Sequence, residues 1–374
     1  MAKKDACEKL VFWGQHGATC WFNSILMSLF YSQRSRNLVL DKLEYRLVNT
    51  KILKTFKHIL HHKILKSKQA EKDIDFFNKI KPETILQMLY DYDNLIFPLS
   101  DFSVGFIPQL YIKPLYYLFD IDCMMFKKIN SKQVVYNSAN HISSFETDEN
   151  GFVIFFPTEM SEEFVKDRLK ENPEVIILEC NAVDSYERRN KKWYVKNSHY
   201  FLSKDQTKSL LSMKETIKWN DQWYDLDSVI LANWNVKDDE LSHTITGLTC
   251  NQKKYVYNGW TTNTVDPAIK KKLTDLKTPC DLMKFDWNIK KHVPFCLNVK
   301  QCKLDIIKTV KSDPCFSFHK GNRLLIYIKQ KTNIRNISSK TPEYVSYEKD
   351  IKKPKRISKE KAQDKMSKKR KQFS

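Results

Sequence analysis

Residues 14–30 read GQHGATCWFNSILMSLF, a glycine-bearing loop that delivers a cysteine to the first turn of a helix. Gly14 and Gly17 are two of only 7 glycines in 374 residues, and their place just before Cys20 marks a backbone that must approach something closely. Beyond Cys20, the apolar residues Ile25, Leu26, Leu29 and Phe30 recur at helical spacing. Thr19 is a suitable N-cap, so the helix is expected to begin at about Cys20. A thiol at that position lies over unpaired backbone N–H groups at the positive end of the helix dipole, which favours the thiolate and makes Cys20 a candidate nucleophile.

A cysteine nucleophile needs an oxyanion donor and a base. Gln15, five residues ahead, offers a side-chain amide that can complete an oxyanion hole with the backbone N–H of Cys20. Among the 9 histidines, His243 is the best placed. It opens the segment HTITGLTCNQKKYVYNGW, two short strands joined by a polar turn at 251–254, and such a hairpin returns close to its start. Asn258 at the far end would then orient the imidazole through its amide oxygen, and Trp260 would shield that bond from water. His199, in NSHYFL, is the alternative base; His16 stands too near Cys20 along a tight loop to reach it. The structural alternatives are a buried apolar cysteine, a strand-end histidine and an asparagine serving only a turn.

The run Gln15-His16-Gly17-Ala18-Thr19-Cys20-Trp21-Phe22-Asn23-Ser24-Ile25-Leu26 resembles the cysteine box of the ubiquitin-specific proteases, papain-fold enzymes. Cys20-Trp21 and Asn258-Gly259-Trp260 also resemble the Cys-Trp and Asn-x-Trp pairs of papain. The chain departs from the pattern in four places. Gln15 replaces an asparagine, Met27 replaces a glutamine, the histidine box reads Ser242-His243-Thr244 rather than Gly-His-Tyr, and the paired CxxC zinc fingers are missing. The matching boxes cover about thirty residues. The resemblance implies an α+β, papain-like fold, in which a helical lobe carrying the nucleophile packs against an antiparallel sheet carrying the base. It also implies a Cys20–His243–Asn258 triad assisted by Gln15, with no cofactor and no metal.

Outward from these boxes, residues 32–79 read as a long or broken basic amphipathic helix, and Lys81-Pro82-Glu83-Thr84 restarts a helix with Ile85, Leu86 and Leu89 on one face. Strands are expected at 134–136, 151–156, 174–179, 192–195 and 223–232, each β-branched or aromatic and bounded by polar clusters. The acidic run 238–240 would raise the His243 pKa if near it, or form an exposed loop. The domain reading is a protease domain over 1–265 (helical lobe about 14–110, sheet lobe about 130–262), a C-terminal extension over 266–338, and a basic disordered tail over 339–374 containing KKPKR and KKRK.

Cys280, Cys296, Cys302 and Cys315, with His292 and His319, stand at HxxxC and CxxxH spacings. They read either as a zinc site or as buried free thiols. An odd, scattered set of 9 cysteines fits a reducing compartment better than a disulfide framework. No apolar run reaches the ~18 residues of a membrane span, and the N-terminal apolar stretch is too short for a signal peptide. Cytoplasmic location is therefore expected, with the basic tail as a nuclear-import signal, nucleic-acid tether or solvating extension.

Lys and Arg outnumber Asp and Glu by 64 to 44, a net charge of +20, which favours acidic partners. The expected activity is hydrolysis of peptide or isopeptide bonds after Gly-Gly-like sequences, the substrate being a ubiquitin-like modifier or a viral polyprotein. The Lys-, Ile- and Asn-rich composition is of the kind an AT-rich large DNA virus encodes. A non-enzymatic alternative is an inactive papain-like scaffold that binds nucleic acid or capsid protein through its basic helix and tail.

Overall fold

A computed structural model describes residues 18–45, 50–61, 81–99, 108–128, 131–137, 142–147, 153–157, 161–180, 199–232, 243–259, 282–298 and 314–331. The chain divides into two units, Met1–Gln330 and Lys331–Ser374, and of the second only Lys331 is described. Gly14, Gln15, His16, Gly17, the expected strand at 192–195, the acidic run 238–240, Trp260, Cys280, Cys302 and the basic tail lie outside the described residues.

The first helix, α1 (Cys20–Phe30), begins at the residue expected of it. Thr19 precedes it without a side-chain capping bond. Its carbonyl instead accepts from the N–H groups of Phe22 and Asn23 at 3.1 and 2.9 Å. All eleven residues of α1 are buried, the signature of a helix wrapped on every side by protein rather than one with a solvent face. Around it stand α2 (Gln33–Tyr45), α3 (Lys51–His61), α4 (Pro82–Tyr92) and α5 (Gln109–Leu118). The basic stretch after Ser32 is thus a broken helix, α2 and α3 being separate elements. Pro82 lies in the first turn of α4, whose Ile85, Leu86 and Leu89 are buried.

The strands are β1 (Cys123–Lys128), β2 (Val134–Asn137), β3 (Ile142–Thr147), β4 (Val153–Pro157), β5 (Val175–Cys180), β6 (His199–Phe201), β7 (Thr216–Trp219), β8 (Gln222–Ala232), β9 (Ile245–Cys250), β10 (Lys253–Tyr257), β11 (Leu282–Lys284), β12 (Pro294–Cys296), β13 (Cys315–Ser317) and β14 (Asn322–Lys329). Two further helices, α6 (Glu162–Arg168) and α7 (Lys204–Leu211), lie between strands. Ten strands form one sheet in the order β11-β10-β9-β8-β14-β5-β1-β2-β6, with β7 paired to β8.

The expected all-antiparallel sheet is corrected in one place, because β1 and β5 run parallel. A parallel pair needs a long crossover, supplied here by the chain from β2 through α6. Residues 266–338, read from the sequence as an extension of unknown role, contain strands of this sheet. They supply β14, antiparallel to both β8 and β5, at the middle of the sheet.

The central strands are apolar on both faces because both are covered. Leu324, Ile326 and Ile328 of β14 face the core shared with α1–α5, whereas Leu325 and Tyr327 face a second core with Val165, Leu210, Trp219, Trp287 and Phe318. Burial on both sides replaces polar alternation with a continuous apolar run.

Residues 282–298 and 314–318 form an arm over that second face. Trp287 stacks on Phe318 at 5.7 Å and donates through Nε1 to the Tyr255 carbonyl at 3.1 Å. Arg323 of β14 donates to the carbonyls of Ile289 and Phe318. Gly247 of β9 permits this approach, since a Cβ there would lie 2.7 Å from the Phe318 ring and 2.9 Å from Trp287.

The arm also corrects the cysteine reading. Cys296 and Cys315 face each other across β12 and β13 and form a disulfide, and Cys250 is also disulfide-bonded. Closing a loop of 19 residues stabilises the fold by about 3 kcal/mol through the denatured chain. Adjacent antiparallel strands bring their cysteines together whatever the spacing along the chain, so the spacing alone did not reveal the pair.

The two halves of the core are pinned by one buried carboxylate. Asp227 of β8 accepts from the backbone N–H groups of Arg34 and Ser35 at 3.1 and 3.0 Å, capping α2. It also accepts from Thr249 Oγ1 at 2.9 Å. Burial raises its pKa, and these donors oppose that rise. Among the described residues, no helix is long and apolar enough to cross a membrane.

Candidate active site

The hairpin expected at 243–260 is β9 and β10. Asn251 and Gln252 both have positive φ, 49° and 62°, the backbone of a two-residue turn whose twist matches that of its strands. The turn is therefore shorter than the 251–254 span expected. Pairing of Tyr257 with Thr246 brings the next residue, Asn258, level with the start of β9. There His243 Nε2 lies 2.7 Å from Asn258 Oδ1, and both side chains are buried. An amide oxygen only accepts, so Nε2 carries the proton and the neutral ring leaves Nδ1 as its basic nitrogen.

Helix α1 docks against the same hairpin. Thr246 Oγ1 donates to the Ser24 carbonyl at 3.2 Å. Thr244, the residue following His243, opposes through its backbone and its hydroxyl the rise that burial gives the Cys20 thiol pKa. Asn23, three residues along α1, approaches the other end of the hairpin; a Cβ on Gly259 would stand 3.1 Å from its Nδ2 and 2.5 Å from the Tyr257 hydroxyl. A side chain at 259 would hold the strand off the helix. Helix α1, which begins at Cys20, thus packs against β9, more than two hundred residues later in sequence, and His243 and Asn258 pair at the open end of that hairpin.

The electrostatics differ from the expectation of an intrinsically activated thiolate. Cys20 is 9% exposed, and burial raises its thiol pKa above the ordinary value. Hydrogen bonds from Thr244 and from the backbone at Trp21 and Cys20 offset only part of that rise. Burial likewise pushes His243 down to about 4, against the opposing effect of Asn258. Both shifts have one physical cause, the cost of charge in a site shut off from water. Both shifts favour the uncharged forms of the Cys20 thiol and the His243 imidazole near neutral pH.

His199, the alternative base, falls on β6 at the far edge of the sheet, six strands from β9. At the usual strand spacing that is ~29 Å, too far to serve Cys20. Gln15 and Trp260 lie outside the described residues. Phe316 was not singled out in the sequence; its ring meets the His243 ring edge-on at 6.2 Å. An isolated Phe in a Cys-Phe-Ser-Phe run carries no signal of that contact, which depends on the arm folding back over the sheet. Thr244 was noted only as a departure from a pattern.

No group of three or more His, Cys, Asp or Glu among the described residues is arranged to hold a metal. Of the residues considered for zinc, Cys296 and Cys315 are bonded to each other, and His292 Nδ1 lies 3.1 Å from Ser317 Oγ. The other free cysteines among the described residues, Cys123 and Cys180, are also buried. Burial raises both, Cys123 to about 12.

No family model and no curated protein matches the chain. Solved structures do. One is the SAGA DUB module of Ubp8, Sgf11, Sus1 and Sgf73 bound to ubiquitin aldehyde, at 9% identity over 89% of this chain and 72% of that chain with a TM-score of 0.37. Another is an essential yeast splicing factor, at 14% identity over 86% of this chain and 70% of that chain with a TM-score of 0.35.

Proposed function

We propose that this chain is a cysteine-dependent hydrolase of peptide or isopeptide bonds, of the ubiquitin-specific-protease type, acting after Gly-Gly-like sequences. The observation that carries the reading is the buried 2.7 Å bond between His243 Nε2 and Asn258 Oδ1, on a hairpin against which packs a buried helix that begins at Cys20. That bond fixes one tautomer of the imidazole and keeps Nδ1 free to accept a proton. The cysteine-box resemblance supports the substrate class.

In this mechanism His243 Nδ1 takes the proton from Cys20 as the sulfur attacks the scissile carbonyl carbon. The C–S bond forms while the carbonyl π pair moves to oxygen, and the oxyanion is received by the Gln15 amide and the Cys20 backbone N–H. Collapse of the tetrahedral intermediate breaks the C–N bond, and His243 gives its proton to the departing amine. Water, deprotonated by the same imidazole, then cleaves the thioester and returns the thiol. Because burial disfavours separated charges at rest, proton transfer accompanies sulfur attack rather than preceding it.

The test is reaction of the purified full-length chain with ubiquitin carrying a C-terminal thiol-reactive electrophile, with Cys20→Ala and Asn258→Ala as comparisons. A covalent adduct on Cys20, lost in the first variant and slowed in the second, is expected. A wild-type chain that forms no adduct and releases no amine from peptides whose Gly-Gly carbonyl is joined to an amine through an amide bond would refute the reading.

A further inference from the structure

A single hydrogen bond does not fix an imidazole. The bond between His243 Nε2 and Asn258 Oδ1 at 2.7 Å holds one atom of the ring, and the ring plane can still turn about it. A second contact is needed to hold that plane, and with it the direction in which Nδ1 points. Phe316 of β13 makes such a contact. Its ring centroid lies 6.2 Å from that of His243, at an interplanar angle of 63°, the edge-to-face arrangement that aromatic pairs prefer. Both residues are buried.

Phe316 is held in turn by what flanks it. β12 and β13 form a small sheet of their own, in which Phe316 stands opposite Phe295. Cys315, the residue before Phe316, stands opposite Cys296 and is bonded to it. A two-stranded ladder is marginal by itself, so a covalent link one residue from Phe316 limits how far that ring can move. Two residues beyond Phe316, the ring of Phe318 stacks on Trp287 and its carbonyl accepts from Arg323. Phe316 thus lies between a covalent anchor and a non-covalent one. The covalent anchor is within reach of reagents, since Cys296 is exposed and Cys315 half-buried.

We propose that Phe316 is a positioning residue for His243, held against the imidazole by the Cys296–Cys315 bond beside it, so that reduction of that bond loosens the imidazole. Its bearing on catalysis rests on the reading of His243 as the base. In the reducing step a dithiol gives up two electrons and two protons. The Cys296–Cys315 S–S bond breaks, each sulfur becomes a thiol, and the reagent closes its own disulfide. The anchor at Phe318 remains, so Phe316 is loosened rather than released.

The experiment follows the His243 Nε2–H by NMR in the full-length chain carrying isotope-labelled histidine, the signal being identified by its loss in His243→Gln. Phe316→Leu keeps an apolar side chain but removes the ring. A chain with both Cys296→Ser and Cys315→Ser removes the covalent anchor and leaves the disulfide at Cys250 untouched. Val165→Ala, which trims a buried side chain of the same core on α6, is the comparison for a merely structural loss. Hydrogen exchange at Nε2–H is expected to quicken by about tenfold in Phe316→Leu and in the serine pair, a factor within the worth of one aromatic pair. Val165→Ala should exchange at the wild-type rate. On a Gly-Gly amide substrate the first two should lose kcat by a similar factor with KM unchanged.

Wild-type exchange in Phe316→Leu would overturn the positioning role, and wild-type exchange in the serine pair would overturn the part given to the disulfide. If either fails to fold by circular dichroism, Phe316→Met or the Cys296→Ala, Cys315→Ala pair takes its place with the same outcomes. Faster exchange in Phe316→Leu, when the wild-type chain cleaves no Gly-Gly substrate, supports the hold on the imidazole and refutes the hydrolase reading alone. Unimpaired cleavage by Phe316→Leu, with unchanged exchange, refutes the Phe316 role alone.

Discussion

Adding one methyl group at Gly259 tests whether the site is built by close docking of a strand end on a helix. The new Cβ would lie 2.5 Å from the Tyr257 hydroxyl and 3.1 Å from both Tyr257 Cζ and Asn23 Nδ2. Ordinary non-bonded contact begins near 3.5 Å, so the chain at 259 must retreat by roughly 1 Å, or Tyr257 must yield. Tyr257 and Asn23 are fully buried, which leaves neither room to swing away. Overpacking of this kind costs about 1–3 kcal/mol.

Because Asn258 is the adjacent residue, part of the displacement falls on its 2.7 Å bond to His243, and a 1 Å error in a catalytic group lowers turnover by about 10²-fold. Gly259→Ala should therefore lower both the thermal midpoint and kcat on a Gly-Gly amide substrate, with KM less affected. Adding Tyr257→Phe removes the nearest colliding atom and should recover part of both losses. Such coupling is expected only for residues in contact. A Gly259→Ala chain with wild-type midpoint and turnover would refute the docking argument, as would strictly additive losses in the double variant.

Three further outcomes follow from the same geometry. Asn258→Ala leaves the Nε2–H of a buried imidazole without its acceptor, at about 1–3 kcal/mol; single-turnover rates should fall by about 10–100-fold, and an unchanged rate would remove Asn258 from the site. Asp227→Asn keeps the shape but cannot accept from the α2 N-terminus and Thr249 through two charged oxygens, so a loss of about 2 kcal/mol is expected in urea unfolding. Acid should also act through His243, whose folded pKa of about 4 lies below its unfolded value near 6.5. The unfolded state then binds the extra proton, so stability is held above about pH 6.5 and declines as pH falls toward 4. The loss reaches about 3 kcal/mol, and His243→Gln should flatten that part of the melting profile measured against pH.

The signals that were legible in the sequence are local. Helical spacing after Cys20 placed α1 because the first turn and the apolar residues lie within one short segment, and the polar residues between two β-rich runs placed the β9–β10 hairpin with Asn258 returning to His243. Pro82 marked the start of α4 for the same reason, its fixed φ suiting a first turn. The sequence offered no role for residues 266–338, because a strand's place in a sheet depends on its partners: β14 reads as one apolar run among others, yet it lies between β8 and β5. The Cys296–Cys315 pair and the contact of Phe316 with His243 were hidden for the same reason.

The sequence by itself determined the candidate groups and the short elements that hold them, since residue type, capping and periodicity act over a few positions. Tertiary structure decided their state. Closure of α1, the hairpin and the arm around Cys20 and His243 removes water from both, and desolvation then outweighs the helix terminus that the sequence alone made prominent. A dipole is a property of one helix, whereas dryness is set by everything packed around it.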